Sequence, residues 1–326
     1  DLTRFMRWYA TAGTPLVIAR DRHDPDTGRY TLTLRQHLRG ADGRMEPAGD
    51  RALPIPIAFG LIGRDGVERQ AATLELTASE QQFAFDGFAG AAPVPSLLRG
   101  FSAPVIVQYD YTDLDLAFLL ANDTDPFTRW EAGQQLIVRA IRQTMDGSAA
   151  PGTLDALGAS LLAALSDARI DDGFRHQLLS LPSEGFLTEQ IDRIDPVGLR
   201  AARNRVRTAI AAALRATLEA IVAAEHWREP YQLSVSAVSR RALANSALVL
   251  LNALGLESAA ALARRQFDAA DNMTDRSAAL QALMLTTPAA SDGALAAFER
   301  EYAGEPAVMD KWFMMQATMH RLPGSE

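Results

Sequence analysis

Cysteine is absent from this 326-residue chain. No disulfide framework, thiolate zinc site or cysteine nucleophile can therefore be built from it, which fits a reducing, cytoplasmic compartment. Lysine is nearly absent too: Lys311 is the single one among 32 basic residues. So uniform a preference for arginine along the whole chain reads as genomic base composition. Basic charge is in deficit, with a net charge of −8 and a pI near 5.2. A nucleic-acid binder would show a basic stripe or patch instead. No apolar run reaches the ~18 residues of a transmembrane helix, and "DLTRFMRWYATAGTPLV" has no charged-then-apolar signal pattern. That N-terminus lacks an initiator Met and enters structured-looking sequence at once, which suggests a piece of a longer polypeptide. What is present is 48% hydrophobic residues, ample for a sizeable core, and a length that allows about two domains.

The first hundred residues read as β. "PLVIAR" (15–20) is a short apolar strand, and "DRHDPDTG" (21–28) is dense in turn formers. "RYTLTLRQHL" (29–38) alternates Tyr30, Leu32 and Leu34 against Thr31, Thr33 and Arg35. "LPIPIAFGLI" (53–62) carries two prolines and reads as an edge strand. "GRDGVE" (63–68) is a hairpin turn with Asp65-Gly66 at its tip. "ATLELT" (72–77), "QQFAFDG" (81–87) and "APVIVQYD" (103–110) are further strands. Short strands separated by regular turn signals predict a small Ig-like β-sandwich over residues 1–108.

Near Tyr109 the composition turns rich in Ala, Leu and Arg. Asp125-Pro126 is an N-cap followed by proline at the first helical position, opening a helix with Trp130 and Leu136 inward. The longest helix is expected after "DRIDPVG", with Val206, Ile210, Ala213, Leu214, Leu218 and Ile221 on one face. Further helices are expected at 153–167, 172–180, 184–192, 236–254, 257–269, 275–286, 291–302 and 306–319. Short helices with short connections predict antiparallel pairs stacked as a solenoid over 109–326. The fold class is thus β plus α: a β-sandwich followed by an all-α helical-repeat domain.

Motifs for chemistry are scarce. His23, His37, His176, His226 and His320 nowhere form His-Glu-x-x-His, in which two imidazoles share one helix face to bind zinc. "EHWRE" (225–229) has no second histidine one turn on. "DPDTG" (24–28) has acids at alternate positions, but its glycine is early and no glutamate closes a calcium loop, so it reads as a hairpin turn. No phosphate-binding glycine loop and no Gly-x-Ser-x-Gly elbow occurs. "QFDAADNMTDRSAAL" (266–280) packs the hard oxygen donors Asp268, Asp271, Asn272 and Asp275 together. Asn272 terminates helices well, and Thr274 caps the next one with Asp275 at its positive end, so the stretch reads as a helix–turn–helix corner rather than a metal site. "VMDKWFMMQATM" (308–319) sets Val308, Trp312, Met315 and Met319 on one face, flanked by Met309 and Phe313.

Several stretches occur together in an order that resembles bacterial aminopeptidase N, the zinc-dependent alanyl aminopeptidase family of gluzincins. They are "FMRWYATAGTPLV" (5–17), "FSAPV" (101–105), "DPFTRWEAGQQL" (125–136), "LPSE" with "IDRIDP" (181–196), "QFDAADNMTDRSAAL" and "VMDKWFMMQA" (308–317). The resemblance is collinear over essentially the whole chain. It implies a parent with an N-terminal β domain, a thermolysin-like catalytic domain, a small β-sandwich and a large helical C-terminal domain, of which this chain resembles the last two, the last incompletely. The Gly-Ala-Met-Glu-Asn signature, the His-Glu-x-x-His helix and the distal glutamate ligand of the family belong to the catalytic domain. No catalytic, cofactor-binding or metal residue is assigned to this chain, and zinc is expected only in the parent's catalytic domain.

Further expectations follow from the resemblance. The helical domain would form a bowl over the zinc site and restrict access to peptides, with the sandwich linking it to the catalytic domain of the same polypeptide. The isolated chain would be inactive. The competing expectation is a free-standing helical-repeat protein-binding module. A piece of a larger enzyme should leave apolar residues exposed near Trp312, Phe313 and Met315 and near Phe5 and Trp8, whereas an independent module should have polar ends.

Overall fold

A computed structural model describes residues 2–191, 194–286 and 288–318. The chain divides into two compact units, residues 1–135 and 136–326.

The N-terminal unit contains the expected sandwich. Its strands are β1 (Leu16–Asp24), β2 (Arg29–Arg39), β3 (Met45–Pro47), β4 (Ile55–Ile62), β5 (Glu68–Leu76), β6 (Glu80–Phe85), β7 (Val94–Leu97) and β8 (Ile106–Gln108). One sheet runs β3-β2-β1-β8 with β6 also paired to β2, and the other runs β5-β4-β7. The alternation read in β2 holds: Tyr30, Leu32 and Leu34 are fully buried and meet Ile55, Ile57, Phe59 and Leu61 of β4 in one core. The period of two continues to Gln36 and Leu38, so a glutamine occupies a core position.

Two strand expectations change. Residues 21–24, expected in the turn, extend β1, because His23 pairs with Tyr30 and Asp24 with Arg29. The turn shrinks to Pro25–Gly28, where the Asp24 carboxylate accepts from the amides of Asp26 and Thr27. β4 is the central strand of its sheet and not an edge. β5 pairs with it from Ile55 to Ile62 but β7 only from Phe59 to Ile62, so Pro56 lies in the half that β7 does not reach. There the Ser102 hydroxyl takes the place of a strand, donating to the Pro56 carbonyl and accepting from the Ala58 amide. A missing N–H is thus tolerated within a central strand. The strands β3 and β7, at three and four residues, were not anticipated.

Helices α1 (Asp113–Asn122) and α2 (Pro126–Asp146) follow, and the boundary between the units falls inside α2. A Thr112–Asp115 capping box starts α1, a helix without a forecast of its own. In α2, Leu136 is buried as expected and Trp130 half-buried.

The second unit holds α3 (Thr153–Leu165), α4 (Asp172–Leu179), α5 (Glu184–Thr188), α6 (Pro196–Ala213), α7 (Arg215–Val222), α8 (Val235–Asn252), α9 (Glu257–Ala269), α10 (Met273–Met284), α11 (Pro288–Tyr302) and α12 (Pro306–Thr318). Helix α8 packs on α4, α7 and α10, α10 on α9 and α11, and α12 on α11, an array of neighbouring helices. Helix α5 is shorter than the expected 184–192, whose residue 192 lies outside the described residues, as does Met319 of the expected 306–319 helix. The single long helix expected after "DRIDPVG" is two, broken at Leu214 (φ −94°, ψ 4°), and α2 is longer. The buried row Val206, Ile210, Leu214, Leu218, Val222 advances by four residues each step. A straight helix would rotate that row by about 40° per step, and the break at Leu214 lets both halves face the core. Ala213, expected inward, is exposed, and Val222 takes the place expected for Ile221.

Candidate functional site

The histidines do not converge. His23 Nε2 lies 2.7 Å from the Phe88 carbonyl, and His176 Nδ1 lies 2.7 Å from the Ser246 hydroxyl, where burial lowers its pKa. His226 Nδ1 meets a Glu229 oxygen at 3.1 Å, and that contact holds the Glu229 carboxyl below its ordinary range. His37 stands on the outer face of the sandwich, and His320 lies outside the described residues. Among the described residues, no group of three or more His, Cys, Asp or Glu is placed to hold a metal ion.

The stretch 266–280 forms the corner between α9 and α10, with one change in its chemistry. The helix cap is Asn272, not Thr274: the Asn272 Oδ1 accepts from the Asp275 amide at 2.9 Å, because Asn272 is the last extended residue (φ −140°, ψ 154°). Asp268 is exposed and paired to Arg264 one turn back, and Asp271 is exposed beside Asn272. Asp275 is the buried acid. Its carboxylate accepts from Asn245 Nδ2 of α8 and Asn272 Nδ2, each at 2.8 Å. Gln266 of α9 donates to Asn245 Oδ1 at 2.8 Å and to the Asp275 carbonyl at 2.9 Å. The four side chains close a polar network that fixes three helices at one point.

A cleft beside this network is lined by His226, Glu229, Tyr231, Arg240, Arg241 and Asp275 and encloses about 10 Å³, room for about one water. The Arg241 guanidinium covers the Tyr231 ring at 4.4 Å and donates to the Gln232 carbonyl. The cleft is too small for a peptide.

The other quoted stretches resolve into the same kind of bonding. Arg99, two residues before "FSAPV", donates to Ser96 Oγ at 2.8 Å and to Asp123 Oδ1 at 2.9 Å, and pairs with Glu68. Its guanidinium lies against the backbone of Gly60, where an added Cβ would fall 2.3 Å from Arg99 Cζ. Asp123 is buried with its Oδ2 unpartnered, and desolvation outweighs Arg99 in raising its pKa. Asp125 caps α2 through Thr128 N at 2.8 Å and accepts from Gly100 N, joining "FSAPV" to "DPFTRW". Within "LPSE", the Pro182 carbonyl accepts from Arg203, Ser183 caps α5, and Glu184 pairs with Arg200. Burial lowers the pKa of Arg203 and pushes that of Arg207 down to about 10. In "VMDKWF", Trp312 donates to the Leu295 carbonyl and Met315 is buried, while Phe313 and Met314 are 60% and 58% exposed. Phe5, Met6 and Tyr9 are exposed at the other end of the chain, and Trp8 is held half-buried by the Pro54 carbonyl.

Comparison with known proteins matches these features to families and relatives. Residues 13–110 match a domain of unknown function with an Ig-like fold (DUF3458), and residues 113–323 match a domain of unknown function built of ARM repeats (DUF3458_C). The chain is 33% identical over 329 residues to aminopeptidase N of Escherichia coli (strain K12), covering 98% of this chain and 37% of that protein. It is 36% identical over 322 residues to aminopeptidase N of Caulobacter vibrioides, covering 97% and 36%. Among solved structures, Legionella pneumophila aminopeptidase A in complex with aspartic acid is similar, with a TM-score of 0.81 and 27% identity, over 98% of this chain and 37% of that one. The chain thus spans little more than a third of the length of these relatives.

Proposed function

Since the chain belongs to the DUF3458_C family of ARM-repeat domains and carries the DUF3458 Ig-like domain before it, we propose that it is the non-catalytic C-terminal part of a zinc aminopeptidase that removes N-terminal residues from peptides. The carrying observation is the similarity to bacterial aminopeptidases N along 98% of this chain but 37% of theirs. In this reading the zinc and the general base sit in a catalytic domain of the same, cytoplasmic polypeptide, and peptides reach them past the helical part. A zinc-polarised water and carbonyl would supply the hydrolytic chemistry there. The chain's own part is geometric: the sandwich, with its division at 108/109, joins the helical array to the catalytic domain, and the array limits what enters. The bonding in the candidate site supports a structural role, because the family-like stretches at Asp125, Ser183, Asn272 and Trp312 supply helix caps and interhelix bonds.

The test compares the whole polypeptide with a version lacking residues 109–326. An alanine p-nitroanilide reports chemistry, and a long peptide against a folded protein reports access. Retained chromogenic turnover with newly gained attack on the folded protein supports the access role. Loss of both activities would replace it with a scaffolding role. Purified chain alone should show no turnover and no stoichiometric zinc, and chelator-sensitive turnover from it would overturn the reading.

A further inference from the structure

Strand β2 changes partner at Gln36. Residues Tyr30–Arg35 pair with β6 and His37–Arg39 pair with β3. At the change of partner the Gln36 amide donates to the Ser79 carbonyl and the Gln36 carbonyl accepts from the Ala48 amide, and beside this point lies a groove of about 290 Å³ lined by Arg20, Arg35, His37, Pro47 and Glu80. Residues facing each other in register share a face of the sheet. Ile18 lies opposite Arg35, His37 opposite Pro47, and Arg35 opposite Glu80. Arg20, two residues beyond Ile18, joins the same face.

The charges in the groove do not cancel. Glu80 is engaged by Arg35, through Nε at 2.8 Å and Nη2 at 3.3 Å. Arg20 has no ion pair among the described residues. His37 Nδ1 is shut off from solvent with no hydrogen-bond partner, a state that costs free energy in a polar ring. With Nδ1 shut off, Nε2 is the ring nitrogen through which His37 could meet a ligand. A concave surface with an unmatched guanidinium, an unbonded imidazole and an apolar edge of Ile18 and Pro47 fits an acceptor-rich ligand. The volume is at the lower limit of small-molecule sites, so the ligand is small.

We propose that this groove binds a small oxyanion, a carboxylate or a phosphate, with Arg20 and His37 as its donors and the Arg35–Glu80 pair as one wall. It is independent of the reading of the chain as part of an aminopeptidase. The test is a titration of the full chain, labelled with nitrogen-15, by inorganic phosphate and separately by acetate, with chloride balancing ionic strength. Saturable shifts of the His37 ring nitrogens and the Arg20 side chain are expected. Arg20→Gln and His37→Gln should each weaken the response roughly tenfold, while Arg264→Gln leaves it unchanged. Tighter phosphate binding assigns a phosphorylated ligand, and tighter acetate binding assigns a carboxylate one. Shifts that grow linearly without saturating, or that survive both groove substitutions, would overturn the site. Because Arg20 is exposed, its variant keeps the fold and the test remains decisive.

Discussion

Asn245 in α8 donates its side-chain amide to the carboxylate of Asp275 in α10 across 2.8 Å, and both residues are buried. Gln266 of α9 orients Asn245 by occupying its Oδ1, so the asparagine has one productive orientation. Among the described residues this carboxylate is held by amide donors and pairs with no cation, an arrangement that fixes three helices to one another.

Asp275→Ala should therefore destabilise the helical unit by about 3 kcal/mol, since it strands the buried amide of Asn245 and takes a partner from the half-buried Asn272. Asp268→Ala, in the same stretch, removes only an exposed pair with Arg264 and should cost about 0.5 kcal/mol or less. Urea unfolding followed by circular dichroism separates the two. Equal costs would show that the network is not what the stretch is for.

Arg99 carries the corresponding prediction in the sandwich unit. Arg99→Met leaves Asp123 buried without its cation and should cost about 3 kcal/mol at neutral pH. The pH dependence gives the sign. Asp123 already has a raised folded pKa, and losing Arg99 raises it further. A group so shifted favours the fold below its unfolded pKa and loses that contribution as pH rises through the folded value. The deficit of the variant should thus shrink on acidification. Gly60→Ala should mimic it, because its Cβ displaces the guanidinium from the position that reaches Asp123. A pH-independent deficit measured by chemical denaturation would contradict this account.

Much of this architecture is legible in the sequence where one physical signal dominates. Tyr30, Leu32 and Leu34 follow a period of two, α9 spans the expected 257–269, and Asp125-Pro126 starts α2 as caps do. The misses occur where two signals compete. Pro56 argues for an edge, but a serine hydroxyl substitutes for the absent strand. Thr274 and Asn272 both cap helices, and only the backbone decides between them. The row ending at Val222 has helical spacing, yet its drift at four-residue steps requires the break at Leu214. Asp275 could not be singled out from its neighbours, because its partners Asn245 and Gln266 come from other helices. Arg99 and the His37 groove were missed for the same reason, since neither is local in the chain.

His176 provides a test confined to the helical unit. Burial lowers its pKa from 6.5 while Nδ1 faces the Ser246 hydroxyl. The depressed folded value means that the neutral ring favours the fold above pH 6.5. That contribution is lost as pH falls below 6.5 through the folded pKa, because the unfolded chain takes up the proton first. The thermal midpoint of this unit should decline on acidification in that window, and His176→Phe should flatten the decline. An unchanged slope in the variant would assign the acid sensitivity to other groups.

Gln36 isolates a backbone-mimicking side chain where β2 exchanges β6 for β3. Its Nε2 donates to the carbonyls of Leu53 and Ala78 at 3.1 and 2.8 Å, and its Oε1 accepts from the Leu53 amide at 2.8 Å. The side chain thus ties the Leu53 and Ala78 peptides, inside the core, to the point where β2 changes partner. Gln36→Met keeps the volume and the burial, so any hydrophobic account expects a neutral or stabilising change. The bonding account expects a loss of about 3 kcal/mol, because three peptide groups lose their partner in a dry interior. Gln36→Glu sharpens the comparison: it retains the acceptor for the Leu53 amide but sets a carboxylate against two carbonyls. Its destabilisation at neutral pH should exceed that of Gln36→Met and should ease on acidification, when the protonated carboxyl regains one donor. Urea unfolding followed through the fluorescence of Trp8, bonded to the Pro54 carbonyl next to Leu53, reads this local transition. A neutral Gln36→Met variant would reduce Gln36 to a space-filling residue.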